Sequence, residues 1–144
     1  MRARIVLVFE EAGFADRAAA ALVRRGHVAL ALREPLAALD ALEDGERIDL
    51  LVTGEHFGPG KPHGIALARM ARHRAQPTEV LVVGSPPLAR YAEGLGAFMA
   101  TPVTAQEVAE KALALLTRAD HVAPQAGPAT IWAPLARDEP TPGT

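Results

Sequence analysis

Ile48-Asp49-Leu50-Leu51-Val52-Thr53-Gly54-Glu55-His56-Phe57-Gly58-Pro59-Gly60-Lys61-Pro62-His63-Gly64 is an apolar run that breaks into glycine and proline just ahead of a segment of helical period. Glycine-rich turns between a strand and a helix are where α/β proteins keep phosphates and other anions. A Walker-type loop, however, requires Gly, four residues, then Gly-Lys-Ser/Thr, so that backbone N–H groups wrap the phosphates and a hydroxyl reaches magnesium. Here five residues separate Gly54 from Gly60, and Lys61 is followed by Pro62, which offers neither a hydroxyl nor an N–H. The G-x-G-x-x-G dinucleotide fingerprint is also missing after the first apolar run, where Val8 leads into Phe9-Glu10-Glu11-Ala12-Gly13. The sequence therefore argues against nucleotide binding in either mode.

Outward from this stretch, short β-branched runs alternate with segments of helical period five times, the pattern of βα units around a parallel sheet. The strands are expected at Arg4 to Val8, Val28 to Leu32, Ile48 to Thr53, Val80 to Val83 and around Phe98 and Met99, nearly continuous in apolar character as strands covered on both faces need to be. The first helix gathers Ala15, Ala18, Ala19, Leu22 and Val23 on one face and stops at Arg24-Arg25-Gly26. A second runs from Pro35 to Asp44 with Leu36, Leu39 and Leu42, and a third from Pro62 to about Arg74 with Leu67, Met70 and Ala71 facing inward. Only about two turns fit between Pro87 and Gly94. The fifth helix opens on Thr104-Ala105-Gln106-Glu107, a capping box, and continues through Val108, Ala112, Leu115 and Leu116.

The 144 residues, 49% apolar with a net charge of -2, suit one soluble domain at 1–118. No apolar run approaches the ~20 residues of a membrane span, and the N-terminus passes straight into a strand, so the cytoplasm is the expected compartment. Without cysteine there are no disulfides, thiolate metal sites or Cys nucleophile. Near-neutral charge gives no reason to expect nucleic acid, and Arg69, Arg72 and Arg74 complement the end of their own helix. After Arg118 the helical period ceases, and five of the twelve prolines fall in the last 26 residues, so 119–144 reads as a Pro-rich flexible tail. Its one large apolar cluster is Ile131, Trp132 and Leu135, which either folds back on the domain or anchors a partner.

Of the five histidines, His56 and His63 flank Lys61 in the glycine-rich loop, with Glu55 the one carboxylate there. Their spacing of seven matches no helical i,i+4 metal pair, and they are expected to be surface residues without a ligand role.

In order and spacing, RIVLVFEEAGF, DLLVTGEHF, GPGKPHGIALARMAR, VLVVGS and GLGAFMATPV resemble the receiver domain of bacterial two-component response regulators over about residues 3–118. The resemblance implies a flavodoxin-like (CheY-like) doubly wound sheet of five parallel strands, with the functional site at the strands' carboxyl ends. In that family an Asp ending the third strand takes a phosphoryl group, with magnesium on two acidic residues after the first strand. A Ser or Thr after the fourth strand and a Lys before a cis proline after the fifth bind the phosphoryl oxygens. The matching positions here are degenerate: Gly54 for the acceptor, Phe9 and Glu10 for the acidic pair, Gly84 for the hydroxyl and Thr101, before Pro102, for the lysine. The aromatic that switches rotamer on activation corresponds to Phe98. Relative to the family, the loop after Gly54 is two residues longer.

With those positions altered, the resemblance implies a pseudo-receiver: a stand-alone, non-enzymatic phosphorelay-type module that works by contact with a protein partner or a second copy, with no cofactor and no metal. Phe9 is expected to fill the volume of the lost ionic site. Glu55 is not expected to substitute as acceptor, because neighbours at a strand end point to opposite sides and would set it apart from the helper groups. The partner face implied by the family presents Leu88, Tyr91, Phe98 and the outer side of 104–118, joined by Trp132; ordinary packing is the other account of Leu88 and Tyr91. The alternative function is a small-ligand or ion sensor whose residual pocket is bounded by Glu10, Glu11, Thr53, Ser85, Thr101 and Pro102.

Overall fold

The computed structural model describes residues 2–74 and 76–122. Its elements run β1 (Arg4–Val8), α1 (Ala12–Arg24), β2 (Val28–Leu32), α2 (Pro35–Glu43), β3 (Leu50–Thr53), α3 (Gly64–Arg72), β4 (Glu79–Gly84), α4 (Ala89–Ala92), β5 (Ala97–Ala100) and α5 (Ala105–Val122), with a 3₁₀ turn, Pro86–Leu88, leading into α4. By its contacts the chain divides into two units, 1–112 and 113–144, and α5 runs from the first into the second. Among the described residues no helix is long and apolar enough to cross a membrane.

All strands pair in parallel in the order β2-β1-β3-β4-β5. This is the flavodoxin-like α/β arrangement expected from the sequence, and the strand order reverses between β1 and β3, where open α/β sheets open a crevice at their carboxyl ends. Alternation along the strands sends Val6, Val8, Leu51, Val80 and Val82 to the face covered by α2, α3 and α4, where they meet Ala38, Leu42, Leu67, Ala68 and Ala71. Ile5, Leu7, Leu50, Val52 and Leu81, all fully buried, point to the other face.

The caps explain where most helices start and stop. Gly26, at φ 92°, donates its N–H to the Val23 carbonyl and ends α1, while Pro35 occupies the first turn of α2. The capping box of α5 forms in both directions: Glu107 N–H donates to Thr104 Oγ1 at 3.0 Å, and Thr104 N–H to Glu107 Oε1 at 2.8 Å. Helix α5 runs to Val122, past the Arg118 at which the sequence pattern ends it, because Ala119 to Val122 contain no breaker and the next proline is Pro124. Helix α3 starts at Gly64 rather than Pro62, since His63 stays extended and caps it. Val23 and Met70, assigned to the apolar faces of α1 and α3 from the sequence, are exposed, as is Leu36 of α2; Val23 and Met70 lie off the centre of the buried face of their helices. Val28 and Leu30 are also exposed, because β2 is an edge strand without full cover.

At the amino end of the sheet the Asp49 carboxylate is 1% exposed, accepts the Arg4 N–H at 2.8 Å and lies 3.3 Å from the Arg47 guanidinium. It ties β3 to β1 through a buried acceptor. Asp49→Ala should cost about 1–3 kcal/mol by leaving these donors without it, seen as a fall in Tm of roughly 2–4 °C per kcal/mol, whereas an unchanged Tm contradicts the role.

Candidate functional site

At the carboxyl ends of β1, β3, β4 and β5 a cavity of about 290 Å³ is lined by Phe9, Glu10, Glu11, Phe14, Gly54, Glu55, His56, Val83, Gly84, Thr101, Pro102 and Val103. Phe9, the residue after β1, is 7% exposed and turns its ring across the end of β3. A Cβ placed on Gly54 would stand 3.0 Å from Phe9 Cδ1, so the ring occupies the space a side chain at 54 would enter. Phe14, in the first turn of α1, meets the same ring edge to face at 4.9 Å between centroids. Glu10 and Glu11 are exposed at the cavity.

Beyond Gly54 the chain has left the strand, so strand alternation no longer directs Glu55. Its side chain crosses to β4, where Oε1 accepts the Ser85 N–H at 2.9 Å and the Ser85 hydroxyl at 3.0 Å. Gly84 permits this crossing: a Cβ there would meet Leu88 Cδ2 at 2.7 Å, Glu55 Oε1 at 3.0 Å and Glu55 Cβ at 3.2 Å. Burial would by itself raise the Glu55 carboxyl, but the Ser85 N–H and hydroxyl, with His56 and His63 nearby, bring it below its usual value. His63 is also held below its usual value, by burial first and then by His56, against the opposing pull of Glu55.

The loop itself is anchored at three points. Phe57 is 4% exposed and belongs to the core cluster beneath α3. Gly64 donates its N–H to the Glu55 carbonyl at 2.9 Å and packs so closely on the Gly54 carbonyl that a Cβ would collide with it. Lys61 Nζ pairs with Glu34 at 2.7 Å. Gly58 and Gly60, at φ 118° and 78°, supply the left-handed turns between these anchors. On the far side, Thr101 joins Pro102 through a cis peptide bond and donates its N–H to the Gly84 carbonyl at 2.8 Å.

No family model matches the sequence, nor does any curated protein. Solved structures do match. A response regulator receiver protein from Sinorhizobium medicae is 23% identical with a TM-score of 0.70, over 81% of this chain and 95% of that one. The receiver domain of the hybrid histidine kinase CckA is 26% identical with a TM-score of 0.61, over 78% and 98%. The chemotaxis response regulator CheY4 of Vibrio cholerae is 19% identical with a TM-score of 0.66, over 81% and 99%. The chain folds as a response regulator receiver domain.

Within the receiver fold, seven residues named from the sequence, Phe9, Glu10, Glu11, Gly54, Gly84, Thr101 and Pro102, line one cavity. Two others do not. Thr53 is fully buried, its hydroxyl bonded to the Gly54 carbonyl at 3.0 Å and turned toward Gly64 beneath α3, on the opposite side of the strand from the cavity. Ser85 is engaged by Glu55 instead of lining the cavity. Glu55, expected from the sequence to stand apart from helper groups, rests directly on Ser85. Leu88, 8% exposed, and Phe98, half-buried, pack into the core rather than presenting a face, whereas Tyr91 is 55% exposed with the Arg90 guanidinium 5.8 Å from its ring centroid. Trp132 lies outside the described residues.

Phe14 and the Glu55–Ser85 contact are not visible in the sequence pattern as site features. The first is a matter of helix phase, which places α1's first turn over the end of β1. The second requires knowing that Gly84 leaves room for an incoming carboxylate.

Phe9 is the residue on which the site can be tested. Phe9→Asp should lower stability by about 3–5 kcal/mol, since it removes a buried ring and leaves a carboxylate among Phe14, Gly54 and Val83. Phe9→Leu should cost far less. Thermal denaturation followed by circular dichroism reads both, and an unchanged Tm in Phe9→Asp would show that the ring does not fill the site.

Proposed function

We propose that the chain is a signalling module of the response-regulator type that acts by protein contact and carries out no phosphoryl transfer. The supporting observation is the Phe9 ring against Gly54: at the position matching the family's acceptor carboxylate there is no side chain, and an aromatic ring takes its place. The residues present do not fit magnesium. The ion needs a near-octahedral set of oxygen ligands, and ring carbons of Phe9, not a carboxylate, stand beside Gly54. Of the carboxylates lining the cavity, Glu10 and Glu11 are exposed, and Glu55 has the His56 imidazole beside it at 3.2 Å, a mixed nitrogen and oxygen set rather than an all-oxygen one. Thr101 brings a hydroxyl, not an ammonium, to the cis-proline corner. A pseudo-receiver of this kind would reach a protein partner or a second copy through Tyr91, the exposed aromatic of α4, and through the exposed Gln106, Glu107 and Glu110 of α5.

The reading is tested by incubating the protein with acetyl phosphate and magnesium and measuring intact mass. The expected result is no added phosphoryl mass, and a stoichiometric adduct overturns the proposal.

One observation favours a second reading, a small-ligand sensor: the 290 Å³ cavity combines Phe9, Phe14, Val83 and Val103 with Glu10 and Thr101 at the strand ends, the usual place for a ligand in this type of sheet. A thermal-shift screen of nucleotides and small organic acids separates the two. A concentration-dependent rise in Tm supports the sensor; silence across the screen together with a recovered protein partner supports the contact module.

A further inference from the structure

The β3–α3 loop brings side chains from its two ends together. Ligand atoms of Glu55, His56 and His63 all lie within 4.8 Å of one another. His56 Nε2 is 3.2 Å from Glu55 Oε2, and the two imidazoles meet edge to face with centroids 4.9 Å apart. In the sequence a spacing of seven looks unsuited to shared ligation, but that rule concerns helices. Here Phe57 in the core and the left-handed Gly58 and Gly60 fold the loop back until Gly64 bonds the Glu55 carbonyl.

We propose that Glu55, His56 and His63 form a binding site for a divalent first-row transition metal ion, zinc above all. Two imidazoles and one carboxylate are the donors that suit zinc, nickel and copper, and not the all-oxygen shell of magnesium or calcium. Donor atoms on one tetrahedral ion at about 2.0–2.2 Å sit roughly 3.4 Å from each other, so the cluster must contract modestly. His56, with 70% of its side chain exposed, is free to make that movement. Glu55 is already oriented for it: Ser85 holds Oε1 through its N–H and hydroxyl, and Oε2, which the same hydroxyl reaches at 3.2 Å, faces His56 at 3.2 Å. A ligating carboxylate is ordinarily fixed by such an outer hydrogen bond. Three protein ligands leave a fourth position open, and Glu55 and His56 also line the cavity, so an exchangeable ligand would enter from there.

The site is coupled to helix α3. His63 Nδ1 accepts the Ile65 N–H at 3.0 Å and caps the helix. If Nδ1 binds the ion its lone pair is used; if Nε2 binds, Nδ1 must carry the proton. In both cases the Ile65 N–H loses its acceptor, so metal binding has a readout in the backbone as well as at the ligands. The inference stands apart from the question of phosphoryl transfer, and either can fail alone.

Isothermal titration of the untagged, metal-free full chain with zinc chloride at neutral pH tests it. The expected result is one equivalent bound at micromolar affinity or better. His56→Ala and His63→Ala should each weaken binding at least tenfold, Glu55→Gln should weaken it while keeping an acceptor for Ser85, and His73→Ala and His121→Ala should leave it unchanged. Far-UV circular dichroism confirms that each variant is folded; His56→Ala, altering an exposed side chain, decides the case if the others are not. In ¹H–¹⁵N spectra zinc should shift the Ile65 and Ser85 amides. Absence of stoichiometric binding, affinity unchanged in folded His56→Ala, or competition by equimolar magnesium would overturn the proposal.

Discussion

The contact between the Phe9 ring and Gly54 sets the terms for everything at the carboxyl end of the sheet. β1 and β3 are neighbours, with Val8 opposite Thr53, so the residues that come after them leave the sheet side by side. Two large side chains cannot share that space. Phe9 takes it, and Gly54 is the residue type that yields it without a clash. The ring is then held from above by Phe14. A buried aromatic pair of this kind stabilises by exclusion of water and by edge-to-face contact, and it needs no ion and no change of charge to persist. A carboxylate in the same place needs compensating cations. The chemistry open to the site is set by this difference.

A second exchange of volume takes place one strand over. Gly84 yields to Glu55 as Gly54 yields to Phe9, and the carboxylate lands on the Ser85 N–H and hydroxyl. Thus the β3–α3 and β4–α4 loops are joined by a charge-assisted hydrogen bond. Thr101, through its N–H to the Gly84 carbonyl, extends the same connection to the end of β5. Three consecutive strand ends are linked by local polar contacts, so a change at any one of them has a physical route to the next.

The fold was largely legible in the sequence because its signals are local and redundant. Apolar runs at Arg4 to Val8 and Val28 to Leu32 mark strands with the bounds seen, and Thr104-Ala105-Gln106-Glu107 marks a helix start by chemistry alone. The errors fall where local pattern meets a tertiary choice. Val23 and Met70 sit on the flank of their stripes, where coverage by a neighbour decides burial. β2 reads as a core strand by composition, yet its place at the sheet edge exposes Val28 and Leu30. For the site, alignment of motifs places Phe9, Gly54, Gly84 and Thr101 around one cavity and assigns Phe9 to the lost ionic site, but it does not reveal that Glu55 enters the space left at Gly84. Glu55 and Ser85 are 30 residues apart, and their meeting depends on the width of a strand pair and on a missing Cβ.

The loop between Gly54 and Gly64 illustrates the same limit in a different form. As sequence it is glycine and proline punctuation, the mark of a loop between two regular elements. In the structure Phe57 is driven into the core, Gly64 seats on the Gly54 carbonyl, and His63 caps α3, so the turn is pinned at both ends and in its middle. Rigid support of that kind is what allows side chains as different as Glu55, His56 and His63 to be held within 4.8 Å without any regular element between them. Because Glu55 also grips Ser85 and His63 also grips Ile65, whatever engages this cluster must act on the start of α3 and on the turn before α4 together. That shared grip gives the loop a physical connection to the elements around it.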